Sequence, residues 1–180
     1  MFETGLKKLD QFLGGGIKEG LITDISGQNS TGKTQLAFQI CINALKNGKE
    51  ILFQDTTGEF RPERLVEMLK IRKLDPILLD KIKVGRITNS IQQLEYLSKI
   101  TANDFSLIVI DNATDLFSFE YSKNEQSFEK HVAFMKYMQN LSSIAINTKT
   151  PIVVTNIIRS FNEHEQENLE KSISMFTHIK

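Results

Sequence analysis

Gly27 to Thr34 read GQNSTGKT, and the spacing G-x-x-x-x-G-K-[ST] is that of a loop built to hold phosphate. Glycines at 27 and 32 remove the Cβ atoms that would stop successive backbone N–H groups from curling around a β-phosphate. Lys33 brings a positive point charge to the β and γ oxygens, and the Thr34 hydroxyl is a hard oxygen ligand suited to Mg²⁺. The expected phosphate site is therefore Gly27, Gln28, Asn29, Ser30, Thr31, Gly32, Lys33, Thr34 and Gln35. Such a site implies a nucleoside triphosphate.

A phosphate loop works only between a strand and a helix, and both flanks have the right character. Leu21 to Ile25 has strand composition, and Gln35 to Ile40 has helical spacing, so the loop opens a helix whose positive dipole end faces the same anion. A second chemical element lies at Leu107 to Asp111. This continuously apolar run has the pattern of a central strand covered on both faces, ending in a carboxylate able to hold Mg²⁺ opposite Thr34. Asp111 is the expected Walker B residue.

Along the chain the signals alternate. Strands are expected at 21–26, 50–54, 82–85, 107–111 and 151–155; helices are expected at 33–46, 62–70, 91–101 and 128–147, with the turn Asn47-Gly48 between the first helix and the second strand. The order predicts a three-layer α/β fold of P-loop NTPase type, a mostly parallel central sheet with helices on both faces and ligand at the carboxyl ends of the strands. Two polar segments, 120–130 and 159–171, read as mobile loops, and Ser172 to Lys180 as a last strand.

The 180 residues suffice for one domain with a substantial core. Twenty-two basic residues match 22 acidic ones, so no global field attracts nucleic acid or an acidic membrane, and any DNA contact must be local. The single cysteine, Cys41, sits in the apolar pattern of the first helix and reads as a small core residue. His131, His164 and His178 have no metal-ligand spacing with it. No secretory signal or spanning run is visible, and a cytoplasmic location is expected.

Residues 50–65, EILFQDTTGEFRPERL, join with TGLKKLDQFLGGGI near the start, GKTQLAFQI after the loop, LIVIDNATDLF at Asp111 and VVTN at 153–156. Together they resemble the RecA/RadA recombinase superfamily, and within it the archaeal and eukaryotic RadA branch with its RadB-type paralogs. The resemblance runs in order along essentially the whole chain. It implies ATP and Mg²⁺ as cofactors, with Arg64 stacked on the adenine, Lys33 on the phosphates, and Thr34 and Asp111 at the metal. It also implies two DNA-facing loops near 118–130 and 157–170, and with them a place in homologous recombination and repair beside a RadA-type recombinase or other recombination proteins. In an archaeon the protein would be nucleoid-associated. Homo- or hetero-oligomers fit the same resemblance.

Two departures bear on chemistry. The glutamate that orients water in active members is Thr57 here, and the glutamine that senses the γ-phosphate is Ile157. Threonine brings no carboxylate and isoleucine no hydrogen bond, so the expectation is an ATP-binding paralog with weak or absent hydrolysis. Glu59, two residues on, is the candidate substitute base. Two alternatives stay open: an active DNA-dependent ATPase using Glu59, and a KaiC-like regulatory ATPase acting on protein partners, against which FRPER argues. For weak single-stranded DNA binding the candidates are Lys123, Lys130 and Arg159 on phosphates, with Phe117, Phe119, Tyr121 and Phe161 either stacking on bases or packing beneath the loops. The sequence begins at the ATPase core, without a helix-hairpin-helix domain, and stops before the family's final strands, a layout that a short paralog and a truncated chain share.

Overall fold

The computed structural model describes residues 1–46, 48–101, 103–121, 127–161, 164–167 and 169–177, with backbone alone at 127, 159–161, 164–167, 170 and 171. In chain order the elements are α1 (Lys7–Phe12), β1 (Ile22–Gly27), α2 (Lys33–Leu45), β2 (Glu50–Asp55), α3 (Pro62–Ile71), a 3₁₀ turn (Pro76–Lys81) and β3 (Ile82–Arg86). Then follow α4 (Ser90–Thr101), β4 (Phe105–Asp111), α5 (Asp115–Glu120), α6 (Ser127–Thr148), β5 (Ile152–Phe161), β6 (His164–Glu167) and α7 (Glu170–Ser174). The sheet order is β1-β5-β4-β2-β3, all parallel, with β6 antiparallel on the far end of β5.

Strand parity builds the three layers. Ile51, Phe53, Leu107, Val109 and Val153 face α2 and α3, where they pack on Phe38, Cys41, Leu45, Leu65 and Leu69. The alternate residues Leu52, Ile108, Ile110, Ile152 and Val154 face α4 and α6 and pack on Leu97, Phe134, Met138 and Leu141. Because successive side chains point to opposite faces, a strand covered on both sides must be apolar at every position, which explains the unbroken run at 107–110. Cys41 is fully buried in this layer, a core residue whose burial pushes its thiol above its ordinary range.

The N-terminal segment is fastened to α2. Gln39 and Asn43, one turn apart, donate side-chain amides to the carbonyls of Thr4 and Glu3, both at 2.9 Å. Helix α1 was not apparent in the sequence, since none of its residues is buried and so no apolar stripe marks it.

Two expectations need correction. Ser172 to Lys180 does not begin a strand: Leu169, Ser172 and Ile173 are buried together, a helical spacing that seats α7 on α6; residues 178–180, with His178, lie outside the described residues. The segment 159–171 is not simply a loop, because β5 runs on to Phe161 and pairs with β6. Its polarity misled: backbone pairing satisfies N–H and C=O groups whatever the side chains are, so a hairpin beyond the core needs no apolar alternation. The other polar segment is helical at both ends, with Glu120 in α5 and Ser127 to Lys130 in α6, while 122–126, with Lys123, lie outside the described residues. Asn47 of the expected turn does too. Among the described residues no helix is long and apolar enough to cross a membrane.

Candidate nucleotide site

β1 delivers the chain to Gly27 and α2 takes it up at Lys33. Between them Ser30 (φ 61°) and Gly32 (φ 94°) are left-handed, which curls the backbone into a concave nest of N–H groups. A Cβ built on Gly32 would meet nothing within 4 Å. Glycine is needed there for its conformation, and the space above the helix end is open. The Lys33 ammonium donates to the carbonyls of Gly27 at 3.0 Å and Gln28 at 2.7 Å, and the Thr31 hydroxyl donates to the Gln28 carbonyl at 2.8 Å.

Asp111 and Thr155 continue the parity of Val109 and Val153, so both project on the face that α2 covers. The Thr34 hydroxyl donates to Asp111 Oδ2 at 2.6 Å, and the Thr155 hydroxyl donates to Asp111 Oδ1. A carboxylate only 4% exposed is thus held at both oxygens. Thr155 was missed in the sequence, where VVTN served only as part of a resemblance.

These groups share a cavity of about 590 Å³, a size that suits a nucleotide. Of the expected site residues, Asn29, Ser30, Gly32, Lys33, Thr34, Gln35, Glu59, Arg64 and Asp111 line it. Gly27, Gln28 and Thr31 stand behind the wall through the hydrogen bonds just given. Phe38, Thr57, Arg61, Asn112 and Ile157 complete it. An open anion nest, a cation beside it and a facing hydroxyl–carboxylate pair are the donor set a Mg²⁺-triphosphate needs, so residues and group fit.

A second missed residue organises the rim. Asp55, 5% exposed, accepts at Oδ1 from Gly58 N–H at 2.7 Å, Thr57 N–H at 3.1 Å and Glu59 N–H at 3.3 Å, and at Oδ2 from Phe60 N–H at 3.3 Å. Arg86 approaches the same carboxylate at 3.5 Å. A single carboxylate that collects this many donors fixes the path of the 56–60 segment. The Thr57 hydroxyl also donates to Asp55, at 3.1 Å, which turns it toward the strand. Glu59 is exposed.

Beneath the cavity floor runs a buried polar chain. The Thr114 backbone N–H donates to Asn112 Oδ1 at 2.8 Å and its hydroxyl to Asn156 Oδ1 at 2.6 Å, while Thr56 and the Asn112 backbone exchange two bonds of 2.7 Å. It ties together the carboxyl ends of β2, β4 and β5, where the site stands.

The aromatic candidates separate. Phe117 is fully buried, with ring centroids 5.3 Å from Phe134 and 5.6 Å from Tyr137, so it packs in the core and is not open to a base. Tyr121 is partly buried against the same cluster. Phe119 is 81% exposed and Phe128, missed in the sequence, 79%. Lys130 is half-buried; the side chains of Arg159, Phe161 and His164 lie outside what is described. His131 Nδ1 lies 2.9 Å from the Ser172 hydroxyl, joining α6 to α7.

A glycine-bearing nest between a parallel strand and a helix, answered by a carboxylate at the end of another central strand, defines the P-loop NTPase class, and the sheet has the RecA-like arrangement. Within that class, residues 1–173 match the Rad51 family, and the chain belongs to it. It is 34% identical over 171 residues to the DNA repair and recombination protein RadA of Cenarchaeum symbiosum. It is also 32% identical over 180 residues to the DNA repair and recombination protein RadB of Pyrococcus abyssi, and 36% over 160 residues to RadB of Thermococcus gammatolerans. The matches span 89%, 96% and 87% of this chain, but 43% of that RadA against 77% and 69% of the RadB proteins.

Proposed function

We propose that this chain is a RadB-like recombinase paralog that binds ATP with Mg²⁺ and serves homologous recombination and repair with little or no hydrolysis. The observation that carries this reading is at position 57, where the family resemblance places a water-orienting glutamate. A threonine stands there, and its hydroxyl is engaged by Asp55. In this reading Lys33 and the loop N–H groups hold the triphosphate, Thr34 and Asp111 hold Mg²⁺, and Arg64 meets the adenine. Bound Mg²⁺ would screen phosphate charge. A RadA-type recombinase is the proposed partner, and exposed Phe119 and Phe128 are the proposed points of weak single-stranded DNA contact.

Two measurements test it: equilibrium binding of a fluorescent ATP analogue, and phosphate release with and without single-stranded DNA. Tight binding with negligible release is expected. Release stimulated many-fold by DNA would overturn the reading.

One observation favours a second reading, an ATPase that uses Glu59. Its side chain lines the same cavity, and its carboxylate makes no hydrogen bond or ion pair with the described residues. If Glu59 is the base, Glu59→Ala lowers turnover by about two orders of magnitude, the lower end of a general base's contribution. Turnover unchanged in that variant removes the basis of the alternative.

The metal assignment carries its own prediction. Thr155→Val keeps the shape of the side chain and removes one of the two hydroxyls on Asp111. The Mg²⁺ concentration that half-saturates its contribution to ATP binding should rise about tenfold, as for other residues that orient a metal ligand. Binding of ATP in EDTA should not change. Calorimetric titration at several Mg²⁺ concentrations checks both.

A further inference from the structure

The phosphate-loop helix and the base-side arginine are joined by one side chain. Gln35 follows Thr34 in the first turn of α2, and its Oε1 accepts from Arg64 Nε–H at 3.0 Å. Its amide nitrogen donates to the Met68 sulfur at 3.0 Å, one turn beyond Arg64 on α3. The reversed amide would set two donors against each other at Arg64, so the orientation is chemically determined. On the other side, Arg64 Nη1 bonds to Glu67 Oε2 at 2.9 Å.

Both bonds use N–H groups that lie in the guanidinium plane. A guanidinium held at its edge leaves its faces available for stacking, and Arg64 lines the cavity. Left to itself, an exposed arginine samples many rotamers and loses that freedom when a ligand arrives. Held beforehand, it meets a planar base already ordered.

We infer that Gln35 is a positioning residue for the nucleoside end of the ligand: it fixes the guanidinium of Arg64 as a stacking platform at a set distance from the phosphate nest. The inference rests on the nucleotide reading above and adds a division of labour. The loop backbone and Lys33 recognise the triphosphate; Gln35, acting through Arg64, makes the site prefer a nucleoside triphosphate over the bare anion. Glu67, 61% exposed, adds a surface salt bridge, which is weak, whereas Gln35 is itself anchored on buried Met68.

The test compares ATP with inorganic tripolyphosphate in competition against a fluorescent ATP analogue. Gln35→Leu, similar in size but without the acceptor, should weaken ATP three- to tenfold and leave tripolyphosphate within twofold. Retained tripolyphosphate binding also reports that the loop is folded. Gln35→Glu keeps an acceptor for Arg64 and repels both ligands alike, so the ratio of ATP to tripolyphosphate affinity should match the parent. Arg64→Ala should lose the preference for ATP, and adding Gln35→Leu to it should cost nothing further.

The outcomes separate the two layers. A parent protein that binds neither ligand overturns the nucleotide reading itself. A parent that binds both, with Gln35→Leu weakening them equally or not at all, overturns the role of Gln35. So does a double variant whose losses simply add.

Discussion

Replacing Lys33 with alanine is expected to weaken ATP binding about a hundredfold while leaving the fold intact. A hydrogen bond from a charged donor contributes up to about 3 kcal/mol, and roughly 1.4 kcal/mol is a factor of ten. Among the described residues the Lys33 ammonium bonds only to two loop carbonyls, Gly27 and Gln28. The Gln28 bond is exposed and the Gly27 bond only partly buried, so water can replace the lost donor and the fold does not depend on it. The measurement is a thermal melt with and without ATP. At a concentration a hundred times the dissociation constant, a ligand stabilises the native state by about 2.7 kcal/mol. For a chain of this size that is a rise of roughly 5–10 °C. Lys33→Ala should melt within a degree or two of the parent without nucleotide and rise by less than about 2 °C with it. An ATP-dependent rise as large as the parent's would mean that the nucleotide sits elsewhere.

Much of this site was legible in the sequence because its residues are contiguous. Lys33 and Thr34 follow a glycine whose φ of 94° few other residues adopt, so composition and spacing betray the backbone. Asp111 could be read from the apolar run that buries its strand on both faces. Asp55 and Thr155 could not be assigned their parts, since each acts across strands. Thr155 matters because β5 lies beside β4, in the register that pairs Ile110 with Val154, and no local pattern encodes which strands become neighbours. Asp55 matters because its chain turns back over it, presenting four N–H groups to one carboxylate. Phe117 was legible only as an alternative. The sequence left it open between stacking on a base and packing beneath a loop, and the helix it sits on decides for packing by turning the ring into the α6 face of the core.

The turn that Asp55 holds also decides what an engineered residue at position 57 would meet, and this gives the largest expected gain. Thr57→Glu should raise ATP turnover at least tenfold over the parent. Position 57 lines the cavity that holds Lys33, Thr34 and Asp111, so a carboxylate there reaches the region of the terminal phosphate. It cannot take over the bond the threonine hydroxyl makes, because Asp55 already accepts from the surrounding N–H groups, and two carboxylates repel. Repulsion therefore directs the new side chain away from the strand and into the cavity. The lost hydroxyl bond costs about 1 kcal/mol, a cost the segment tolerates because Asp55 keeps its four backbone donors. A placed general base contributes a factor of about 10²–10⁴. The lower expectation of tenfold reflects Ile157, which still supplies no polar contact on the facing wall. Thr57→Gln is the control: similar in size and reach but unable to take a proton, it should turn over no faster than the parent. The readout is phosphate release at saturating ATP, with affinity for the fluorescent analogue measured on the same preparations. Equal rates for parent, Thr57→Glu and Thr57→Gln, at unchanged affinity, would show that the missing carboxylate is not what limits hydrolysis. The explanation would then move to the facing wall, where Ile157→Gln in the Thr57→Glu background is the variant that separates the two.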